Sequence, residues 1–268
     1  MKMKDFLQNT WKHRAHVVMA LPAFLILLFF SYIPMAGLVI KSFDYSKGIW
    51  TSPWNGIENF KFLLASKSTF ITMTKNTLMY YVIFTALGTF LNVVIAIAID
   101  QCVFKKASKA MQTVMIIPVF ISYAAVQFIV YAYLSTDTGI LNNTFNIATR
   151  FYSTPKAWPW ILTIVKMWNS VGYGSVLYMS VLAGIDTSLY EAAEIDGANK
   201  WQQIRHITLP SLLPMITVML LLSVGNIMRS DTGLFYQVTR NSGVLYSTTQ
   251  VIDSYVLNSI FKNSNFGF

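Results

Sequence analysis

Few residues in this chain have the type and spacing to do covalent chemistry. The run Gly172-Tyr173-Gly174-Ser175-Val176 sets a serine beside two glycines, but it lacks the second-glycine spacing of a nucleophile elbow and any nearby histidine. Gly172 and Gly174 therefore read as close helix-packing positions. His13, His16 and His206 lie in charged flanks, none with a second ligand at metal spacing. The single cysteine, Cys102, can build neither a disulfide nor a thiolate metal site within the chain. With no Gly-x-x-x-x-Gly-Lys-Ser/Thr stretch to cradle phosphates, the chain is expected not to be an enzyme and to hold no cofactor of its own. Two features remain. Lys166 sits inside an apolar run, where a lysine snorkels, pairs with an acid or binds an anion. A polar segment near residues 184–210 has the pattern of short capped helices.

The elements that must position these residues are membrane helices. The chain is 54% hydrophobic and 12% charged, about half the charge of a soluble domain. Its net charge of +9 falls largely between apolar runs, which points to membrane topology and not to nucleic acid. Five runs are long enough to cross a bilayer, near residues 17–40, 76–99, 111–134, 160–183 and 211–228. The expected organisation is a cytoplasmic N-terminal segment, 1–16, followed by an all-α polytopic transmembrane domain, 17–268, surrounded by lipid. Lys2, Lys4, Lys12 and Arg14 precede the first run, which is too long for a signal peptide and has no small-x-small cleavage site, so it reads as a retained anchor. Lys105, Lys106 and Lys109 crowd the loop after the second run, which with the basic N-terminus puts both in the cytoplasm. The loop 184–210 then lies inside, whereas 41–75, 135–159 and the tail from Arg229 lie outside. The interiors of the runs hold no Asp or Glu, which argues against a proton- or cation-coupled secondary transporter or channel.

In the inner loop, Ile185-Asp186-Thr187-Ser188-Leu189-Tyr190-Glu191-Ala192-Ala193-Glu194-Ile195-Asp196-Gly197, Ser188 and Glu191 form a capping-box pattern that predicts a helix start. Alanines keep that helix slim, and Gly197 permits the turn that ends it. A second short helix would carry Trp201, Ile204 and Arg205, and Pro210 fits the first turn of the fifth span. On these features alone the loop could be a generic amphipathic interfacial elbow.

The spacing Glu191-Ala192-Ala193, three residues, Gly197, nine residues, then Ile207-Thr208-Leu209-Pro210 resembles the coupling-loop signature of permease subunits of binding-protein-dependent ABC importers. Further likeness to the carbohydrate branch of that family (the maltose, glycerol-phosphate and complex-polysaccharide permeases) lies in Trp54-Asn55-Gly56-Ile57-Glu58-Asn59-Phe60, Asn76-Thr77-Leu78, Thr138-Gly139-Ile140-Leu141-Asn142, Trp168 with Gly172, and Thr249-Gln250-Val251-Ile252-Asp253-Ser254-Tyr255. The resemblance implies a type I importer permease fold in a bacterial cytoplasmic membrane. It implies two cytoplasmic ATPase subunits that bind the ATP and magnesium, a second homologous permease, and an extracytoplasmic solute-binding protein. Glu191, Ala192, Ala193, Asp196, Gly197, Ile207, Leu209 and Pro210 would dock into the ATPase. Such permeases continue past Asn-Phe-Gly into one more helix, so a final transmembrane helix is expected after residue 268.

The solute would be an oligosaccharide or polysaccharide fragment. Counting from the Glu-Ala-Ala motif and from Leu-Pro, the sugar-contacting positions of the maltose permease fall on Lys166, Asn169, Ser170 and Tyr173, and on Ser223, Asn226, Ile227 and Ser230. Trp168, Tyr173 and Tyr178 offer rings for a sugar face, or simply pack against neighbouring helices. Lys166 suits an acidic sugar if it reaches the pathway and a neutral one if it snorkels outward. A polyamine or amino acid is the alternative solute within the same class.

Overall fold

A chain in lipid must satisfy its own backbone polar groups, and helices do this segment by segment. The computed structural model describes residues 14–41, 56–57, 60–61, 65–145 and 149–263, and among them there is no strand. His13, Lys2, Lys4, Lys12 and Trp54 lie outside the described residues. The chain divides into two compact units, Met1–Lys67 with Ser259–Phe268, and Ser68–Asn258.

In the first unit, α1 (Arg14–Leu27) passes through a π-helical turn, Leu28–Tyr32, into α2 (Ile33–Lys41) without a break. Within it, Val18–Gly37 is long and apolar enough to cross a membrane. Phe24, Phe29, Phe30 and Met35 are all exposed, an arrangement that water would penalise and lipid does not.

The second unit carries the remaining long helices. Its first, α3 (Lys67–Asp100), has 34 residues and is about 51 Å long at 1.5 Å per residue. The run anticipated as one span at 111–134 is instead α4 (Lys105–Ile116), a 3-10 turn (Ile117–Phe120) and α5 (Tyr123–Leu134), with a 100° bend at the break. The cause is local. Pro118 supplies no amide hydrogen, and Ile121 and Ser122 are extended, so the hydrogen-bond ladder stops and restarts. After the short α6 (Ile140–Phe145) and two 3-10 turns, α7 runs Trp158–Leu182. Two short helices follow, α8 (Thr187–Ile195) and α9 (Lys200–Gln203). A π-helical turn, Ile204–Thr208, leads from α9 into α10 (Leu209–Val224), giving a continuous 25-residue span, Lys200–Val224. The chain then forms a π-helical segment, Gly233–Val238, the short α11 (Tyr246–Thr249), and α12 (Ile252–Asn263).

Two apolar cores hold this unit. Near the α7–α8 junction, Tyr178 and Leu182 pack with Val93, Ala96 and Leu212. At the opposite end, Trp158 and Leu162 of α7 meet Val126 and Val130 of α5, Tyr80 of α3, and Leu234, Phe235 and Val238. The last three come from the stretch anticipated as an outer tail; they are buried, so this stretch is part of the packed core. The Trp158 indole donates to the Phe151 carbonyl at 2.9 Å, which satisfies its one polar atom inside the core.

Helix contacts in lipid depend on small residues that let backbones approach. A Cβ placed on Gly172 would lie 1.7 Å from the Met115 carbonyl oxygen, so α7 and α4 touch backbone to backbone. At Gly174 the added carbon would meet the Asn92 side chain at 2.5 Å.

Candidate functional site: the helical elbow and the polar stripe of the second unit

The elbow is built by caps. Helix α8 is capped by Asp186 and not by Ser188, because the Asp186 carboxylate accepts the Ser188 amide at 3.0 Å. That contact also holds the Asp186 carboxyl below its ordinary pKa. The helix ends in a paired turn, with the Ala198 amide donating to the Ala193 carbonyl at 2.8 Å and the Gly197 amide to that of Glu194 at 3.1 Å. Gly197 sits at φ +79°, the left-handed region that a residue without Cβ enters freely. A reciprocal capping box does occur, but on α9: the Gln202 amide donates to the Asn199 side chain at 2.9 Å, and the Asn199 amide to that of Gln202 at 2.8 Å.

Side chains then fix the two arms. Lys200 donates to Glu194 at 2.7 Å and to Gln203 at 3.2 Å. Hydrogen bonding from Lys200, reinforced by Gln203 and by the lysine's charge, holds the Glu194 carboxyl below its ordinary pKa. The hydroxyls of Tyr190 and Thr208 meet at 2.9 Å, tying the middle of α8 to the turn that opens α10. Glu191, Ala192, Asp196, Gly197 and Pro210 are exposed, Ala193, Ile207 and Leu209 half-buried. Beside them Leu189, Ile195 and Trp201 project outward, Ile195 at 87% exposure. Rigid arms that present apolar side chains around a free carboxylate are suited to insertion into a groove on another protein.

Above the elbow runs a polar stripe. Lys166 comes eight positions after the first residue of α7, about 12 Å along its axis. Its ammonium donates to Asp231 Oδ2 at 2.9 Å, with both side chains partly exposed, 25% and 30%. A lone lysine at this depth would be costly, and the pair removes the net charge. Asp231 lies just beyond the fifth run, so searching the runs alone misses it; an apolar run containing a lysine is the signal that an acid must be sought nearby. Next to it, the Ser230 amide and hydroxyl both donate to Asp253 Oδ2, the hydroxyl at 2.6 Å.

The other anticipated pathway residues divide. Asn169 is buried and donates to the Pro118 carbonyl at 2.7 Å, so it serves the α4–α5 break and does not line open space. Ser170 bonds back to the Lys166 carbonyl at 2.7 Å. Tyr173 and Trp168 are exposed, whereas Tyr178 is buried in the core near the elbow. On α10, Ser223 lies 3.1 Å from the Tyr81 hydroxyl; Asn226 is exposed and donates to the Leu222 carbonyl at 3.3 Å. Ile227 is half-buried and adds no polar group. Among the described residues no group of three His, Cys, Asp or Glu side chains is placed to hold a metal.

Residues 93–266 match the family model described as the binding-protein-dependent transport system inner membrane component. The chain is 28% identical over 273 residues to the polygalacturonan/rhamnogalacturonan transport system permease protein YteP of Bacillus subtilis (strain 168), covering 100% of this chain and 84% of that protein. A permease chain in the crystal structure of a bacterial ABC transporter involved in the import of the acidic polysaccharide alginate is similar to it, with a TM-score of 0.84 at 28% identity, covering 98% of this chain and 90% of that one. In the bacterial alginate ABC transporter complexed with an alginate pentasaccharide-bound periplasmic protein, the corresponding match has a TM-score of 0.83 at 28% identity, over 100% of this chain and 89% of that one.

Proposed function

Because the chain belongs to the family of binding-protein-dependent transport system inner membrane components, we propose that it is the permease subunit of an ATP-driven importer that carries an oligosaccharide or polysaccharide fragment across the bacterial cytoplasmic membrane. The observation that carries the reading is the elbow. It joins α7 directly to α10, so a push on α8 reaches both helices that bear the polar stripe. Two cytoplasmic ATPase subunits, which bind the ATP and magnesium, dock on Glu191 and the flanking apolar side chains. Closure of those subunits moves this elbow and its counterpart on a second permease, and the space between the permeases changes the side to which it opens. Cargo reaches the opposite face from an extracytoplasmic binding protein, in keeping with the periplasmic protein complexed to the alginate transporter.

Along the pathway, Lys166, Ser170, Tyr173, Ser223, Asn226 and Ser230 offer hydroxyl, amide and ammonium groups to sugar hydroxyls, with Tyr173 and Trp168 available to stack on the apolar face of a ring. The catalytic work of hydrolysis belongs to the partner ATPases. The test is co-purification of this chain with its ATPase and second permease, followed by ATPase measurement with binding protein and a panel of oligosaccharides. Stimulation by saccharides is the expected result. A complex stimulated only by a polyamine or amino acid would overturn the saccharide reading, and absence of any ATPase partner would overturn the importer reading.

A further inference from the structure

We propose that Asp231 is a two-position carboxylate that sets the charge preference of the pathway, leaving Lys166 to engage the carboxylate of a uronate-bearing saccharide. This rests on the reading of the chain as a saccharide permease.

The Lys166–Asp231 pair is held at 2.9 Å, yet a quarter or more of each side chain is exposed, so the pair borders open space and is not sealed in the core. Among the described residues, Asp231 is the hydrogen-bond acceptor for the Lys166 ammonium, which carries three donors. An incoming carboxylate can therefore approach the same ammonium from the open side.

Asp231 has somewhere else to go. Its second oxygen, Oδ1, accepts the Leu234 amide at 3.4 Å, well beyond the usual 2.9–3.0 Å of such a bond, so this contact can tighten. The ring of Tyr123 packs against Gly233, close enough that a Cβ there would lie 2.8 Å from it. The Tyr123 hydroxyl is buried beside Asp231, close enough to interact with its carboxylate but without a hydrogen bond of full geometry. A buried hydroxyl held in so weak a contact is a donor that a rotated carboxylate can satisfy. Together the Leu234 amide and the Tyr123 hydroxyl form a second berth for the Asp231 carboxylate.

The backbone beside it does not need to move. Ser230 is tied through its amide and its hydroxyl to Asp253, so the exchange is a side-chain rotation of Asp231 on a fixed turn. Oδ2 of Asp253 is occupied by these two donors, and the Lys166 ammonium is paired with Asp231. A neutral saccharide brings no charge to displace Asp231 and leaves the pair closed, whereas a uronate replaces one carboxylate by another at the same ammonium.

The experiment uses the whole importer, with partner permease, ATPase subunits and binding protein, reconstituted in liposomes. Uptake of trigalacturonate is compared with that of the same trisaccharide after carboxyl reduction, in the parent and in each variant that co-purifies as a complete complex. Lys166→Met is expected to lower uptake of the acidic sugar about tenfold or more and that of the neutral sugar by less than about threefold. Tyr123→Phe is expected to lower acidic uptake about threefold or more and to leave neutral uptake unchanged, because only the second berth is lost. The double variant Lys166→Met/Asp231→Asn leaves no unpaired charge and guards against misfolding; it is expected to take up both sugars equally. Equal changes for both sugars in Lys166→Met and Tyr123→Phe would overturn the role given to Asp231 while leaving the saccharide reading intact. If neither sugar is taken up by the parent while another solute class is, the saccharide reading itself falls and the inference falls with it.

Discussion

The side-chain amide of Asn169 donates to the carbonyl oxygen of Pro118 at 2.7 Å, so the middle of α7 closes the break at which the third apolar run turns by 100°. Proline removes one donor from that turn, and the extended residues after it leave carbonyls short of helical partners. Asn169 adds a second donor to the Pro118 carbonyl from another helix, beside the Ile121 amide. Replacing it by leucine leaves the Pro118 carbonyl with the Ile121 amide alone, at 3.1 Å, and buries no new contact of equal worth. Asn169→Leu is expected to cost about 0.5–1.5 kcal/mol, read as a lower unfolding temperature of the purified complex. Full stability with unaltered transport would show that the bond is dispensable.

Gly172 and Gly174 are predicted to differ despite lying two residues apart. At Gly172 the added carbon collides with backbone, the Met115 carbonyl, which can yield only if α4 and α7 separate. At Gly174 it meets the Asn92 side chain and no backbone, and the Asn92 Oδ1 has no hydrogen bond that would be lost if the side chain shifted. Gly172→Ala should destabilise by about 3 kcal/mol, at the upper end for overpacking, and Gly174→Ala by about 1 kcal/mol or less. Thermal unfolding of the two variants in the same detergent compares them directly, and equal tolerance would contradict the backbone contact.

For the elbow, the prediction separates docking from rigidity. Glu191→Ala removes an exposed carboxylate that makes no described contact holding the elbow together, so the complex should fold and keep its ATPase while sugar-stimulated hydrolysis and uptake become uncoupled. Gly197→Ala keeps every neighbour at a distance but forces a Cβ into the left-handed region at φ +79°, costing about 1–2 kcal/mol and shifting α8 against α9. Tyr190→Phe loses the 2.9 Å tie to Thr208, worth about 0.5–1.5 kcal/mol, and should weaken coupling without abolishing it. The ratio of sugar transported to ATP hydrolysed is the deciding measurement for all three. An unchanged ratio in Glu191→Ala would remove the elbow from the mechanism.

A pH dependence follows from the lowered carboxyls of the elbow. Glu194 is held below its ordinary value by Lys200 first and Gln203 second, and Asp186 by the Ser188 amide. For a depressed carboxyl, the folded state releases its proton more readily than the unfolded one. The stabilisation is therefore full above the ordinary carboxylate range and is lost as the pH falls through the lowered folded values. Both groups are exposed, so the effect is local loosening and not global unfolding. Amide exchange of α8, followed down to about pH 3, should speed up at the acid end in the parent. In Glu194→Gln it should lose most of that dependence at the α8–α9 turn. A flat profile in the parent would contradict the assignment.

Much of this protein is legible in its residues before any folding is considered. Apolar runs between basic loops specify membrane helices, because no other backbone arrangement within one segment satisfies itself in lipid. Gly197 after an alanine-rich helix specifies a sharp turn, because the left-handed conformation is open to it. The spacing from Glu191 to Pro210 carried the family resemblance, and the match of residues 93–266 agrees with it. Local chemistry also misled where two neighbouring residues competed for one role: Ser188 with Glu191 spelled a capping box, but Asp186 lies two residues earlier and accepts the amide first. What only the tertiary structure decided are the relationships across long separations. Asp231 is 65 residues from Lys166, and Pro118 is 51 from Asn169, separations that no helical or strand period relates. The burial of Leu234, Phe235 and Val238, beyond the last apolar run, was likewise set by α5 and α7 offering them a core. Periodicity says which face of a segment avoids water or lipid; which distant partner covers that face is settled only when the whole chain packs.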